Sequence, residues 1–403
     1  MGSGKTSSAI NQIKKDVFST YIYITPYLDE VERIKTECSD RGFVSPQNKG
    51  DGKLENLHYH LGNSQNIAST HALFKNYNEY TLELIKNGGY KLILDEVVDV
   101  VEKLNIHKDD IQMLIDQKII KVDKDRHVIW IDDKYDGEFT IKLKPMVKSH
   151  NVTLYDEYLL LWTFPIEVFQ AFKEVIVLTY LFDAQIQKYY YDMNHIDFDY
   201  IGTRKENGNY YFSEIPQVPE YTKTLINKIH ILDDNKLNMI GDYEYTLSSS
   251  WFKREKCVRQ KPLIKKIKNN LQNIYTNKFK SPSDKNMWTT FKDYKGLLSG
   301  KGYTSGFVSC NIRATNQYRN KTNLAYCVNI YFDPYLKNYF LDNHVNVKED
   351  KYALSELIQW IWRSAIREGN EIWIYIPSSR MRGLLQDWLR DLSEPPTTSG
   401  DSS

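Results

Sequence analysis

At 403 residues the chain has room for two domains of ordinary size, and a formal net charge of +1 excludes a uniformly basic nucleic-acid-coating protein, so any basic groove is local. Its four cysteines (Cys38, Cys257, Cys310 and Cys327) lack C-x-x-C spacing, which argues against a zinc site and for a reducing cytosol. No apolar run approaches the ~18 residues of a membrane span and the start lacks a signal-peptide core, so a cytoplasmic protein with no membrane partner is expected.

The chain opens on Met1-Gly2-Ser3-Gly4-Lys5-Thr6-Ser7, the downstream half of the phosphate-binding pattern G-x-x-x-x-G-K-[ST]. Gly2 and Gly4 let the backbone curl round a phosphate, and the loop opens a helix whose free N–H groups favour an anion. Lys5 is expected to reach the β- and γ-phosphates of ATP, and the Thr6 hydroxyl to bind Mg²⁺. The first two positions of the motif would precede Met1, so the chain reads as truncated within the loop. The strand that feeds the loop would then be missing, leaving a gap beside the strand of Asp95.

Further elements follow in order. Tyr21–Pro26 reads as a short β-branched and aromatic strand, and Leu28–Cys38 as a helix. Ser69-Thr70 precedes another helix. Lys91-Leu92-Ile93-Leu94-Asp95-Glu96 is an apolar run ending in acids, the mark of a buried parallel strand with carboxylates at its C-terminal edge. Asp95 is expected to hold Mg²⁺ and Glu96 to orient or deprotonate the attacking water. His127–Leu143 reads as a hairpin, with strands His127–Ile131 and Phe139–Leu143 and a turn near Tyr135-Asp136-Gly137. Val175–Tyr180 is another buried strand, and strands alternating with helices imply a parallel sheet. After a mixed stretch, Lys223–Leu232, Asn323–Tyr331 and Glu371–Ile376 read as strands, and Pro262–Ile274, Ala353–Arg367 and Ser378–Leu389 as helices. Helical spacing would place Gln359, Arg363 and Arg367 on one face.

Taken together, these features resemble a superfamily-2 helicase of the DEAD-like kind found in bacteriophages, over about residues 1–392. Gly2 to Ser7 match motif I and Asp95-Glu96 match motif II. Thr25-Pro26 resembles motif Ia, Ser69-Thr70-His71 the next nucleic-acid-contacting motif, and Leu178-Thr179-Tyr180 motif III. Arg313-Ala314-Thr315-Asn316 resembles motif V, and Gln359 to Arg367 resembles motif VI. The sequence departs from the family at Trp362, where motif VI usually has Gly, and at Arg367, one residue later than usual.

The resemblance implies an α/β fold of two RecA-like P-loop NTPase domains with parallel sheets, the first strand of domain one missing. Domain one would span 1–192, a linker 193–222, domain two 223–392 and a disordered tail 393–403. It implies an ATP-dependent helicase or translocase with ATP and Mg²⁺ as cofactors, acting on single-stranded or duplex DNA in phage replication or recombination. RNA stays open as the substrate, and replication proteins as partners. Gly2, Ser3, Gly4, Lys5, Thr6, Ser7 and Gln359 would bind the nucleotide, with Arg363 or Arg367 as its arginine finger. Thr25, Pro26, Thr70, His71, Arg313, Thr315 and Asn316 would contact nucleic acid. Two rivals are a terminase-like packaging ATPase and a helicase-like DNA-binding module without turnover. The former needs a carboxylate-clustered nuclease, which Asp333, Asp342, Glu349 and Asp350 are not spaced to form.

Overall fold

The structure, a computed structural model, describes residues 4–50, 52–214, 224–312 and 317–393. Gly2, Ser3, Arg313, Thr315, Asn316 and the tail from 394 onward lie outside the described residues. The chain divides into two compact units, the first comprising 4–214 with 333–347 and the second 224–332 with 348–393.

The first unit is built on a parallel four-stranded sheet. Its strands are β1 (Tyr21–Thr25), β2 (Ile67–Thr70), β3 (Lys91–Asp95) and, after an insertion, the Glu174–Leu178 strand, in the order β2-β1-β3 and then Glu174–Leu178. Every residue of β1 is buried, as expected for a strand covered on both faces. Helix α1 (Lys5–Lys15) lays Ala9, Ile10 and Ile13 on this sheet against Tyr21, Tyr23, Ile93 and Ile176, while α2 (Leu28–Glu37) contributes Val31 and Ile34 to the same core. At the sheet's N-terminal end the Lys91 ammonium bridges Asp16 at 3.1 Å and Glu174 at 2.9 Å, and these partners hold its pKa above the ordinary value against burial. The gap expected beside the Asp95 strand is corrected, because β3 is hydrogen-bonded to β1 on one side and to Glu174–Leu178 on the other.

Between β3 and the fourth strand lies a second, antiparallel layer that the chain's periodicity does not announce. Its strands are β4 (Val101–Lys103), β5 (Ile120–Val122), β6 (Val128–Trp130), β7 (Val152–Tyr155) and β8 (Leu159–Thr163), forming a β4-β8-β7 sheet and a β5-β6 hairpin. With these introduced, the Glu174–Leu178 strand is β9. The expected His127–Leu143 hairpin is overturned here. β6 pairs backward with β5, through a turn in which the Asp123 carboxylate accepts the N–H groups of Asp125 (2.9 Å) and His127 (2.8 Å). Phe139–Lys142 is a helical turn that buries Phe139 and Leu143 and leaves Ile141 84% exposed, the spacing of a helix and not of a strand.

Residues expected to form a linker carry structure of their own. Strands β10 (Gly202–Glu206) and β11 (Asn209–Ser213) form an antiparallel hairpin, and β11 packs along α1, with the Asn11 amide donating to the Tyr210 carbonyl at 2.9 Å. A segment from far along the chain completes the unit. The helix Pro334–Asp342, capped by the Asp333 carboxylate, sets Tyr339 against Tyr155 (5.6 Å between ring centroids) and Phe340 against Tyr189 (5.7 Å).

The second unit carries its own parallel sheet, in the order β12-β15-β14-β13, from β12 (Ile229–Ile231), β13 (Asn286–Thr289), β14 (Asn323–Tyr326) and β15 (Ile372–Tyr375). The helix Pro262–Asn273, with Pro in its first turn, buries Ile264, Ile267 and Leu271 in a core that holds Trp288, Tyr303 and Tyr375. Gly241 sits so close to the strand-to-helix turn after β15 that a Cβ there would stand 2.0 Å from the Pro377 carbonyl oxygen. Backbone cannot swing aside as a side chain can, so Gly241→Ala is expected to destabilise this unit by about 3 kcal/mol. Chemical denaturation followed by circular dichroism measures the loss, and an unchanged midpoint would show that the turn yields.

Candidate functional site

The C-terminal edge of the first parallel sheet gathers the chemistry. In register, Ile24 lies beside Ser69 and Leu94, and Asp95 beside Leu178, so Thr25, Ser69-Thr70, Asp95-Glu96 and Thr179-Tyr180 all emerge at that edge. α1 begins there as well. Gly4, in the left-handed region at φ 78°, precedes it, and the Ser8 N–H closes the first turn on the Gly4 carbonyl at 2.8 Å.

Lys5, Asp95 and Glu96 act on one another electrostatically. Burial pushes the Lys5 ammonium down, against the pull of the Glu96 and Asp95 carboxylates. Burial, then the Glu96 charge, push Asp95 up to about 7, although the Tyr23 hydroxyl donates to its Oδ2 at 3.0 Å and favours the charged form. Tyr23, fully buried in the middle of β1, joins the site from the neighbouring strand, and nothing in a strand-forming YIYIT run marks its hydroxyl for a partner on β3. Glu96 holds a left-handed φ of 70°, strained for a residue with a Cβ, while its N–H donates to the Leu178 carbonyl at 3.1 Å. The Lys5 Nζ also lies 5.9 Å from the centroid of the Tyr180 ring.

The same elements carry hydroxyls without protein partners. Ser8, Thr25, Ser69 and Thr179 each have a buried Oγ with no hydrogen bond among the described residues. A buried hydroxyl left unpaired costs about 1–3 kcal/mol, and Thr25 and Thr179, at the ends of their strands, are placed for a polar ligand to satisfy them. A desolvated lysine, two carboxylates, a helix N-terminus and spare hydroxyls are a donor and acceptor set that fits a triphosphate with its divalent cation. Thr6 and Ser7 sit in the first turn of α1, Pro26 just beyond β1, and Thr70 is the N-cap of the one-turn helix His71–Phe74.

In the second unit the segment resembling motif VI departs from the expected single helix. The helix ends at Ile361, having begun at Glu349, and Arg367 lies in a separate 3-10 turn, Ala365–Glu368. Gln359, Arg363 and Arg367 therefore do not share one helical face. The Gln359 amide donates to the Ser355 hydroxyl at 3.1 Å, Arg363 is 4% exposed, and Arg367 is exposed. The carboxylates that a nuclease would need each have a structural partner. Asp333 caps its helix, Asp342 accepts the Tyr155 hydroxyl, Glu349 accepts the Phe332 N–H at 3.2 Å, and Asp350 pairs with Arg380 at 2.7 Å. Among the described residues no helix is long and apolar enough to cross a membrane.

Two family models match parts of the chain. Residues 101–162, the antiparallel layer, match the family model described as the YonV middle domain, and residues 223–389 match the YonV C-terminal Rossmann-like domain. Among solved structures, an XPD helicase aligns over 97% of this chain and 93% of its own, with 11% identity and a TM-score of 0.47. The structure of S. tokodaii Xpd4 aligns over 96% and 92%, with 14% identity and a TM-score of 0.43. Likenesses this distant carry no functional weight. The SPbeta prophage-derived protein YonV of Bacillus subtilis (strain 168) is 47% identical over 406 residues, covering 97% of each chain. On that identity over nearly its whole length, the chain belongs to the YonV family.

Proposed function

We propose that this protein is an ATP-dependent helicase or translocase acting on nucleic acid, with DNA as the favoured substrate. The observation that carries the reading is the meeting of Lys5, Asp95 and Glu96 at the C-terminal edge of a parallel sheet, where α1 presents its N-terminus. Lys5 neutralises the β- and γ-phosphates, for which its low-dielectric setting makes the interaction strong. Thr6 and Asp95 are the residues to hold Mg²⁺, which when bound supplies Lewis-acid polarisation of the phosphoryl oxygens. Glu96, held off the strand axis by its left-handed backbone, orients and deprotonates the attacking water. Arg367, exposed, is a better candidate to meet a phosphate than the buried Arg363. Thr25, Pro26, Thr70 and His71 emerge at the same sheet edge and form the nucleic-acid grip of the first unit, sequence-independent because it engages backbone phosphates. A role in phage DNA metabolism within the host cytoplasm rests on the prophage origin of the relative.

The test is ATP hydrolysis by the full chain with Mg²⁺, with and without single-stranded DNA. Hydrolysis that rises on adding DNA is the expected result. DNA binding with no turnover under any condition would instead identify a binding module that has lost its motor.

A further inference from the structure

The β10-β11 hairpin gives this site a wall that no motif describes. Side chains alternate along β11, so Tyr210 and Phe212 share one face. Phe212 packs into the core beneath α1, against the cluster holding Ala9, Ile10 and Ile13. Tyr210, two residues earlier, lies alongside the helix N-terminus, and a Cβ built on Gly4 would stand 2.2 Å from Cδ1 of its ring. The ring thus lies directly against the Gly4 Cα. The hairpin cannot easily slide away, because Asn11 holds the Tyr210 carbonyl at 2.9 Å and the Lys15 Nζ lies 4.1 Å from the centroid of the Tyr211 ring. Tyr210 remains half-exposed, and the side chain across the strand pair, Lys205, is an exposed lysine whose Nζ is 5.5 Å from the ring centroid.

A flat, fixed, half-exposed ring beside a phosphate-binding helix end, already covered by the Lys205 ammonium over its ring, suits a planar nucleobase that takes that ammonium's place. We infer that Tyr210 is the stacking platform for the base of the bound nucleotide, which makes the site selective for nucleoside triphosphates over inorganic polyphosphates. This rests on the nucleotide reading above and adds a ligand-positioning residue about two hundred positions from Lys5.

The experiment is isothermal titration of the full chain with ATP and with inorganic tripolyphosphate, each with Mg²⁺, for wild type, Tyr210→Leu and Tyr210→Phe. Leucine keeps an apolar contact with Gly4 but removes the π-face. The expected result is an ATP affinity about tenfold weaker in Tyr210→Leu, an unchanged tripolyphosphate affinity, and wild-type behaviour in Tyr210→Phe. Equal losses for both ligands, no loss for either, or tighter binding of both, as for a removed plug, would each overturn the platform. If wild type binds neither ligand, the nucleotide site itself is refuted and the platform with it. Should Tyr210→Leu fail to fold, Tyr210→Trp decides, since its fluorescence is expected to be quenched by ATP and not by tripolyphosphate, and an equal response to both would refute stacking.

Discussion

Lys5→Ala is expected to abolish ATP turnover, by at least about a hundredfold to a thousandfold, without unfolding the protein. The ammonium is the one side chain of the α1 first turn that carries charge, and burial has already stripped much of its water. A desolvated cation binds phosphate strongly because it has little hydration left to lose, so its removal costs more than that of a surface lysine. Without it, Asp95 and Glu96 face an incoming polyanion alone, and nucleotide affinity falls together with turnover. Arginine is not expected to rescue, since its planar fork cannot take the place of a compact ammonium. Steady-state hydrolysis with Mg²⁺, alongside a thermal melt of each variant, measures both halves. Turnover unchanged in Lys5→Ala would remove Lys5 from its role.

Asp95→Asn is expected to be inactive and yet more stable than wild type at neutral and alkaline pH. The Asp95 carboxyl is raised from 3.8 to about 7 in the folded protein. Below about pH 4 both folded and unfolded chains hold its proton and the group is neutral in the balance. As pH rises from about 4 to 7 the unfolded chain releases the proton while the folded one retains it, so stability falls through that window and stays lower above it. At 1.36 kcal/mol per pH unit, a rise of about three units corresponds to at most about 4 kcal/mol, reduced by whatever solvent reaches this partly exposed group. Asparagine carries no such charge and still accepts the Tyr23 hydroxyl. Melting curves in EDTA at about pH 4 and about pH 8 are therefore expected to coincide for the two proteins at the acid end and diverge at the alkaline end. Equal melting temperatures at both would mean that Asp95 is not the strained carboxylate of this site.

Much of this was legible in the chain because parallel strands buried on both faces leave short unbroken apolar runs. Tyr21–Thr25, Lys91–Asp95, Glu174–Leu178 and Ile372–Tyr375 all read that way, and each is a strand. Acids at the end of one such run and Gly-Lys-Thr at the start of a helix pointed to the same sheet edge, which is where Asp95, Glu96 and Lys5 stand. What was not legible has physical causes. Phe139-Thr140-Ile141-Lys142-Leu143 satisfies a strand's alternation and a helix's four-residue return alike, and only its neighbours decided for the helix. Arg363 and Arg367 have helical spacing, but the chain turns at Trp362 and separates them into a buried and an exposed site. The Tyr23–Asp95 and Tyr210–Gly4 contacts join residues far apart in sequence through the sheet and the hairpin, and no local pattern encodes such meetings.

The excursion of Asp333–Val347 into the first unit has a practical outcome for dissecting this molecule. No single cleavage point yields both halves intact: a fragment ending anywhere before residue 333 loses the helix that shields Tyr155 and Tyr189, and its former partner keeps an orphaned amphipathic appendage. Halves prepared separately for crystallisation or activity measurements would need that helix grafted back onto the amino-terminal piece through a new connection.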